Sequence, residues 1–391
     1  MKIALALENF SRHGGGAEAY AVELAKTLVA EGWEVHLCGH SWDGEPKAAI
    51  FHHIPRLSKL FPPSVRLLHF ALSHRRIIRS DSFDVVLGFG NTVVMNVYQS
   101  HGGVHFISNM RKLQAIRNPL VRLAKTLALF AMPKYHARAW IESAPFRMEQ
   151  RPTVVAISEM VRQDMADHFN VTRDDIRLVY NGIDQRRFGS ANRIVRQDMR
   201  KKLGFGDEVL FLFMAYDFRK KGVKYLIEAA AHLRQRVGPG KFGVIVVGRS
   251  PYPSLRKLVN QLQVNDIVLF PGATQKPERY YQSCNVFVLP TFYDACSLVV
   301  FEAMAAGLPA ITTLFNGAAG IVTHGSDGMI LNDPRNIAEM SLAMEQFLDA
   351  DFLRSASAAA AKTAGRYSLE ANHRSMIEIF HTAAKKPFNP V

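Results

Sequence analysis

Cysteine is almost absent from this sequence: there are three among 391 residues, Cys38, Cys284 and Cys296, with no CxxC spacing. So few, at an odd count, exclude a disulfide framework and predict reduced thiols, as in a cytosolic protein. No His/Cys cluster with ligand spacing occurs, so no metal is implied. Nor does any run approach the ~20 consecutive apolar residues that a membrane-spanning helix needs. The opening MKIALALENF has only five apolar residues between Lys2 and Glu8, which reads as a first strand and not as a secretory signal. The glycines that follow, in GGGAE, do not spell the GxGxxG fingerprint, so a nicotinamide cofactor is not indicated. Acid is also missing locally. Residues 50–140 hold 13 Lys/Arg, among them Arg117, Arg122, Lys125, Lys134 and Arg138, against Asp81 and Asp84, which is most of the formal net charge of +14. A localised basic field attracts anionic lipid, phosphorylated glycan or nucleic acid, although a solvated basic surface fits the same count. No recognised nucleic-acid module or interleaving of aromatic and basic residues accompanies it, so nucleic acid is not the expected partner.

What the chain does contain is ordinary for a globular protein: 48% hydrophobic and 21% charged residues. Its length is enough for two α/β domains, each with its own core. Short β-branched runs at 3–7, 35–38, 51–55, 84–88, 91–100 and 153–157 alternate with helical periods at 17–32 and 65–79. Residues 176–188, with the Asn181-Gly182 turn signal, cross to a second array that starts afresh at 209–214. The expected organisation is α/β, with domains at 1–175 and 176–371, and two helices finishing the chain. Residues 109–140 carry helical patterns both apolar and basic, interrupted by Pro133. They read either as core helices with snorkelling cations or as a segment lying on a membrane surface.

The most informative stretch is 286–309, VFVLPTFYDACSLVVFEAMAAGLP. Its apolar run to Leu289 reads as a buried strand, and Leu298 onward as a helix with Ser297 as candidate N-cap and Gly307 and Pro309 as stops. A strand, a small-residue loop and a helix N-terminus make an anion site, because unpaired N–H groups and the helix dipole converge there. Asp294 precedes the helix and Glu302 lies within it, ~7 Å beyond Ser297 at 1.5 Å per residue. A carboxylate in so apolar a helix needs a hydroxyl or cationic partner. The same spacing also fits an ordinary αβ unit whose Asp294 caps a turn and whose Glu302 points outward.

Three cations, Arg219, Lys220 and Lys221, stand before Gly222 and a long amphipathic helix. Cations at a helix N-terminus oppose the dipole, which argues for an anion nearby. Another strand ends in Gly248-Arg249. In the first half, His101 follows a strand and precedes Gly102 and Gly103, where open α/β sheets place ligands. Gly15 and Gly16 close a loop after the first strand, where a missing side chain lets a ligand approach the backbone.

Asp294, seven residues, Glu302 and the run EAMAAGLP resemble the acidic motif of retaining family 4 glycosyltransferases with the GT-B fold. That resemblance extends over essentially the whole chain: the glycine loop, the NGxD…F stretch between domains, and the Lys-Gly of DFRKKG. It implies two Rossmann-like parallel-sheet domains facing a central cleft, an N-terminal acceptor domain and a C-terminal nucleotide-sugar domain. A C-terminal helix, about 372–391, would pack back on the first. It also implies a UDP-sugar donor with no cofactor and no metal. Lys221, Asp294 and His101 become the catalytic residues. Donor binding falls to Gly15, Gly16, Arg219, Lys220, Lys221, Gly248, Arg249, Asp294, Ser297, the amides of Leu298 and Val299, and Glu302 on the ribose. The family usually has glutamate at the first acidic position, and Asp294 is one methylene shorter. Within the family, SWDGEPKAAI with its following HHIP is similar to the glucosyltransferases of bacterial lipopolysaccharide core assembly. Those enzymes move glucose to an inner-core heptose on the cytoplasmic face of the inner membrane, so a glycan acceptor and peripheral attachment to anionic membrane are implied. A sugar-nucleotide epimerase or glycogen-type synthase would share much of the scaffold.

Overall fold

The computed structural model describes residues 1–12, 14–116, 118–189, 193–248 and 253–388, so Arg117 and Arg249 lie outside the described residues. The chain divides into two compact units, Met1–Tyr180 with the stretch from Glu370, and Asn181–Leu369. Through the first unit run β1 (Lys2–Ala6), β2 (Asn9–Phe10), α1 (Gly16–Ala30), β3 (Glu34–Gly39), β4 (Ser41–Trp42), β5 (Ile50–His53), α2 (Pro63–Arg79), β6 (Val85–Gly88), β7 (Val97–Ser100), α3 (His105–Gln114), α4 (Pro119–Ala131), α5 (Pro133–Arg147), β8 (Thr153–Ala156), α6 (Glu159–Phe169) and β9 (Ile176–Leu178). The second unit holds α7 (Gln185–Phe188), α8 (Arg193–Leu203), β10 (Val209–Ala215), α9 (Val223–Val237), β11 (Phe242–Gly248), α10 (Pro253–Gln261), β12 (Val268–Gly272), α11 (Pro277–Ser283), β13 (Val286–Leu289), α12 (Leu298–Ala305), β14 (Ala310–Thr313), β15 (Gly328–Leu331), α13 (Ile337–Gln346) and α14 (Ala350–Ala364). Then α15 (Leu369–Ala384) returns to the first unit.

Each unit is built on one parallel sheet, in the order β5-β3-β1-β6-β7-β8-β9 and β12-β11-β10-β13-β14-β15 respectively. Sheets covered by helices on both faces are buried on both, which is why VLFLFMA and FGVIVVG are continuous apolar runs without alternation. Strand order reverses beside β1 in the first sheet and beside β10 in the second, and the carboxyl ends of strands at such a switch point form a crevice. In the first unit Tyr20, Ala21, Leu24, Ala25 and Leu28 of α1 share one helical face. That face joins a core with Trp33, Leu37 and Leu87, which α15 completes through Met376, Ile377 and Phe380.

Several elements differ from the sequence expectation for identifiable reasons. The strand expected from Asn91 is confined to Val97–Ser100, because Asn96 brackets the ladder with its side chain: its Oδ1 accepts from Val86 N at 2.7 Å and its Nδ2 donates to Asp84 O at 2.9 Å. Residues 176–188 do not merely cross over, since Ile176–Leu178 pairs with β8 as a seventh strand. Three helices, not two, finish the chain: Asp349 caps α14 through Phe352 N at 2.8 Å and so divides it from α13. Pro133 opens α5, where its missing N–H costs nothing.

Two features make testable statements about the scaffold. Gly222, the left-handed N-cap of α9 (φ 76°), lies so close to the Pro290 carbonyl oxygen that a Cβ there would collide with it. Gly222→Ala is expected to lower the free energy of unfolding by about 3 kcal/mol or more, from backbone strain plus the clash. Chemical denaturation measures this, and an unchanged midpoint would contradict the placement.

Glu142 of α5 is buried and accepts the His105 N–H through both oxygens, at 2.9 and 3.1 Å. Burial pushes its carboxyl up to about 7, only partly opposed by that N–H and by Arg138. A raised carboxyl adds stability below the unfolded value of 4.5 and loses it as pH climbs through about 7. The stability of wild type relative to Glu142→Gln should therefore fall by about 3 kcal/mol between pH 4.5 and 8. Melting curves across that range would refute the reading if the two proteins run parallel.

Candidate active site

The second unit's switch point lies between β10 and β13, and both polypeptide segments leaving it are tightly held. After β10, Asp217 Oδ1 accepts the N–H groups of Arg219 and Lys220, each at 3.1 Å, and its carbonyl accepts from Lys221 N at 3.1 Å. This turn delivers the chain to Gly222 and α9. After β13, Phe292 N donates to the Lys220 carbonyl at 3.1 Å, which staples the two loops together. Thr313 Oγ1 supports the second loop from β14 by donating to Thr291 O at 2.7 Å.

These constraints bring three of the sequence-derived residues into contact. Lys221 Nζ forms an ion pair with Asp294 Oδ2 and lies 3.4 Å from Ser297 Oγ. The two side chains are only 14% and 22% exposed, so the pair is partly withdrawn from water. Asp294 itself is fixed by backbone exchange across the loop: its N–H donates to Phe315 O at 2.9 Å, and its carbonyl accepts from Gly317 N at 2.8 Å.

Ser297 occupies the N-cap of α12, but its side chain does not cap the helix. Asn316, in the loop after β14, holds the N-cap residue itself: its Oδ1 accepts from Ser297 N at 3.3 Å and from Ala318 N at 3.1 Å. Its amide Nδ2 is anchored on Thr312 Oγ1 at 2.9 Å. The Ser297 hydroxyl is thereby turned toward Lys221. Leu298 and Val299 open α12, where the first N–H groups of a helix have no intrahelical acceptor. A cation, a hydroxyl and a helix N-terminus at one place can stabilise an anion.

Glu302, on the second turn of α12, finds its partner inside the protein. The hydroxyl of Tyr281, a fully buried side chain of α11, donates to Glu302 Oε2 at 2.7 Å. Burial raises the Glu302 carboxyl above the usual range, opposed by the Tyr281 hydrogen bond and then by Arg187. Burial likewise lowers the Lys220 ammonium, against the attraction of Asp217. Gly248 (φ 152°) has a packing reason to lack a side chain: a Cβ would run into the Ala215 carbonyl and the Phe218 ring. Tyr281 and Asn316 carried no sequence signal, because each acts on a residue about 20 positions away. Asn181, which the sequence marks only as part of a turn signal, donates through Nδ2 to Cys296 O at 3.2 Å, while its Oδ1 is buried without a partner among the described residues. All three cysteines are free and buried.

His101, Gly15 and Gly16 belong to the first unit. His101 follows β7 and lies against the rings of Tyr20 and Phe89, with centroids at 4.6 and 5.2 Å. Its Nε2 is enclosed with no hydrogen-bond partner among the described residues. Burial pushes the ring down to about 3, so the imidazole is neutral at physiological pH and holds no proton to give as an acid. It lines a cavity of about 320 Å³ at the first sheet's switch point, with Glu8, Asn9, Glu18, Asn91 and Arg138. Gly15 is the N-cap of α1 and Gly16 its first residue. They are not part of the lining, which takes its α1 residues from Ala17 and Glu18. A Cβ on Gly15 would meet the Glu18 carboxylate at 2.6 Å.

Both halves of the chain are similar to known proteins. Residues 14–187 match the family model Glycosyltransferase Family 4, and residues 195–379 match Glycosyl transferases group 1. The chain is similar to the lipopolysaccharide glucosyltransferase WaaG of Escherichia coli, 24% identical over 345 residues, which is 88% of each chain. It is similar also to a D-inositol 3-phosphate glycosyltransferase of Pseudarthrobacter chlorophenolicus, 26% identical over 87% of this chain and 83% of the other. The crystal structure of WaaG superposes with a TM-score of 0.78 at 22% identity, over 97% of this chain and 99% of that one. That of HepE from Anabaena in complex with UDP-glucose superposes at 0.71 and 15% identity, over 98% and 100%. With both halves matched in order and two parallel-sheet units of this topology, the chain belongs to the GT-B glycosyltransferases.

Proposed function

We propose that the protein is a retaining, metal-independent hexosyltransferase moving a sugar, in the first instance glucose, from a UDP-sugar to an inner-core heptose of lipopolysaccharide or a similar glycan. The observation that carries this reading is Lys221 held against Asp294 and Ser297 beside the N-terminus of α12. Cleavage of the glycosidic bond places negative charge on the leaving diphosphate. Lys221 and the amides of Leu298 and Val299 oppose that charge, with Lys220 or Arg219 as a second cation. Preorganised charge of this kind is often the largest catalytic contribution. Asp294 serves the donor-sugar hydroxyls, and Glu302, steadied by Tyr281, the ribose. Retention follows from same-face attack in which the leaving phosphate takes the acceptor's proton, so no protein base is required. His101 then enters as a neutral hydrogen-bond partner, in keeping with its burial. The UDP-glucose bound by HepE and the lipopolysaccharide glucosyltransferase activity of WaaG support the donor and acceptor; the inositol-phosphate relative shows that the family serves other acceptors too.

The site of action proposed is the cytoplasmic face of the inner membrane. Among the described residues no helix is long and apolar enough to cross a bilayer. However, α4 buries none of its residues, and Leu120 and Leu127 are 76% and 63% exposed beside Arg122 and Lys125. An amphipathic helix with an unburied apolar face and cations suits the surface of an anionic membrane.

Steady-state kinetics with a UDP-sugar separate the roles of the charged residues. Lys221→Ala should lower kcat by ~10²-fold or more, because its interaction grows in the transition state. Glu302→Gln should raise the donor KM ~10-fold, about 1.4 kcal/mol, because a ribose contact is the same before and during reaction. Asp294→Ala should fall between them and alter the preference among donor sugars. Near-normal kcat in Lys221→Ala, together with normal donor binding in Glu302→Gln, would sink the assignment.

Flotation with vesicles containing phosphatidylglycerol tests the membrane reading. Binding should decline steeply as salt rises and be weakened by Arg122→Gln with Lys125→Gln. Binding that ignores both salt and substitution would return these residues to a solvated face.

A further inference from the structure

Next to the cavity that holds His101, and sharing Glu8 and Asn9 with it, the first unit has a second cavity of about 430 Å³. Its cationic lining consists of Arg56, Arg66 and Lys134, against the single carboxylate of Glu8. Two helices begin at its wall. Arg66 stands in the first turn of α2 and Lys134 in the first turn of α5. Neither helix has a side-chain cap or an acidic residue in its first turn, and each opens with proline. Acidic residues at these positions would favour both dipoles, whereas cations there add positive charge to positive helix ends. Among the described residues none of the three cations is in an ion pair with a carboxylate. Arg56 donates to Asn9 Oδ1, a neutral partner that leaves its charge uncompensated. Arg66 Nε is enclosed and has no hydrogen-bond acceptor among the described residues. His40, also in the wall, is oriented by a 2.8 Å contact from its Nδ1 to the Ile54 carbonyl. That carbonyl can only accept, so Nδ1 carries the proton.

We infer that this cavity is an anionic subsite for the acceptor: it takes a phosphomonoester carried on the acceptor glycan, while the sugar hydroxyl to be modified lies in the adjoining His101 cavity. The inference rests on the glycosyltransferase reading and adds to it the chemical class of the acceptor and the residues that select it. Arg66 and Lys134 bind the oxyanions together with the opening N–H groups of α2 and α5. Arg56 supplies a forked guanidinium at the rim. Glu8, between the two cavities, repels an anion from the sugar pocket and accepts hydrogen bonds from neutral hydroxyls.

Calorimetry on the full chain saturated with UDP tests this, with glucose 6-phosphate as probe and glucose as the uncharged control. UDP fills the diphosphate site of the second unit, so a phosphomonoester cannot register there. Glucose 6-phosphate should bind more tightly than glucose. Arg66→Gln and Lys134→Gln should each weaken it about 10-fold, equivalent to about 1.4 kcal/mol. Glu8→Gln should tighten it several-fold, a gain that misfolding does not produce. UDP affinity should stay the same in all three variants. Equal affinity for the two sugars overturns the subsite. So does a result in which Lys134→Gln abolishes attachment to phosphatidylglycerol vesicles yet leaves glucose 6-phosphate binding intact, because the cations would then serve a lipid headgroup. Failure of UDP itself to bind would instead strike the glycosyltransferase reading, so the two failures are distinct.

Discussion

The site in the second unit depends on a backbone contact with no room for a side chain. Gly222, in the left-handed region, presses against the Pro290 carbonyl, and the Lys220 carbonyl two residues earlier accepts from Phe292 N. Through this contact the loops that leave β10 and β13 behave as one piece of backbone. Lysine has a long stem and loses considerable rotamer freedom when fixed. Lys221 nevertheless stays beside Asp294 and Ser297, because the two loops that carry them cannot drift apart without breaking the same contact. The threonines of β14 extend the constraint: Thr313 holds Thr291, and Thr312 donates to the Leu289 carbonyl at 3.0 Å while accepting from Asn316. The loops that carry Lys221 and its partner Asp294 are thus held in place by neutral backbone and hydroxyl contacts.

Much of this was legible in the amino-acid sequence, for physical reasons that also mark its limit. Continuous apolar runs give away strands buried on both faces, and a strand, a polar loop and a capped helix over 286–309 locate the switch point without coordinates. Lys221 and Asp294 stood out because a charge beside a helix end is expensive or favourable according to its sign. Residues that act through a hydrogen bond to distant backbone left no such trace. Tyr281 looks like a core aromatic until its hydroxyl is seen on Glu302, and Asn316 looks like a turn residue until its side-chain oxygen is seen on the Ser297 N–H. The sequence argument about Glu302, that a buried carboxylate needs a hydroxyl, holds, yet Tyr281 supplies that hydroxyl from within. The missed strand at Ile176–Leu178 is only three residues long, and its pairing with β8 comes from the sheet and not from a local pattern.

His101 illustrates a different limit. Its position after a strand was readable, and its protonation state was not. That state depends on packing against Tyr20 and Phe89, which lie 81 and 12 positions away. A neutral imidazole with an unpaired Nε2 can accept or donate one hydrogen bond according to its tautomer, and it does so without adding charge. If the pocket meets an uncharged sugar, as proposed, this matters, because an imidazolium would draw an anion into the space the sugar needs.

The distribution of charge in the two units follows one logic. At α9 and α12 in the second unit, and at α2 and α5 in the first, lysine or arginine stands near a helix N-terminus, where the dipole makes a cation unwelcome. Where such a cation is given a protein partner, as Lys221 is by Asp294, the empty state is relieved and the partner must later exchange for ligand. Where none is given, as at Arg66 and Lys134, the repulsion persists until an anion arrives. Under the proposed reading the first arrangement favours turnover, since Asp294 reclaims Lys221 when the diphosphate leaves. The second favours capture, since among the described residues neither Arg66 nor Lys134 is in an ion pair with a carboxylate. A glycosyltransferase with the proposed nucleotide-sugar donor and the inferred anionic acceptor has use for both.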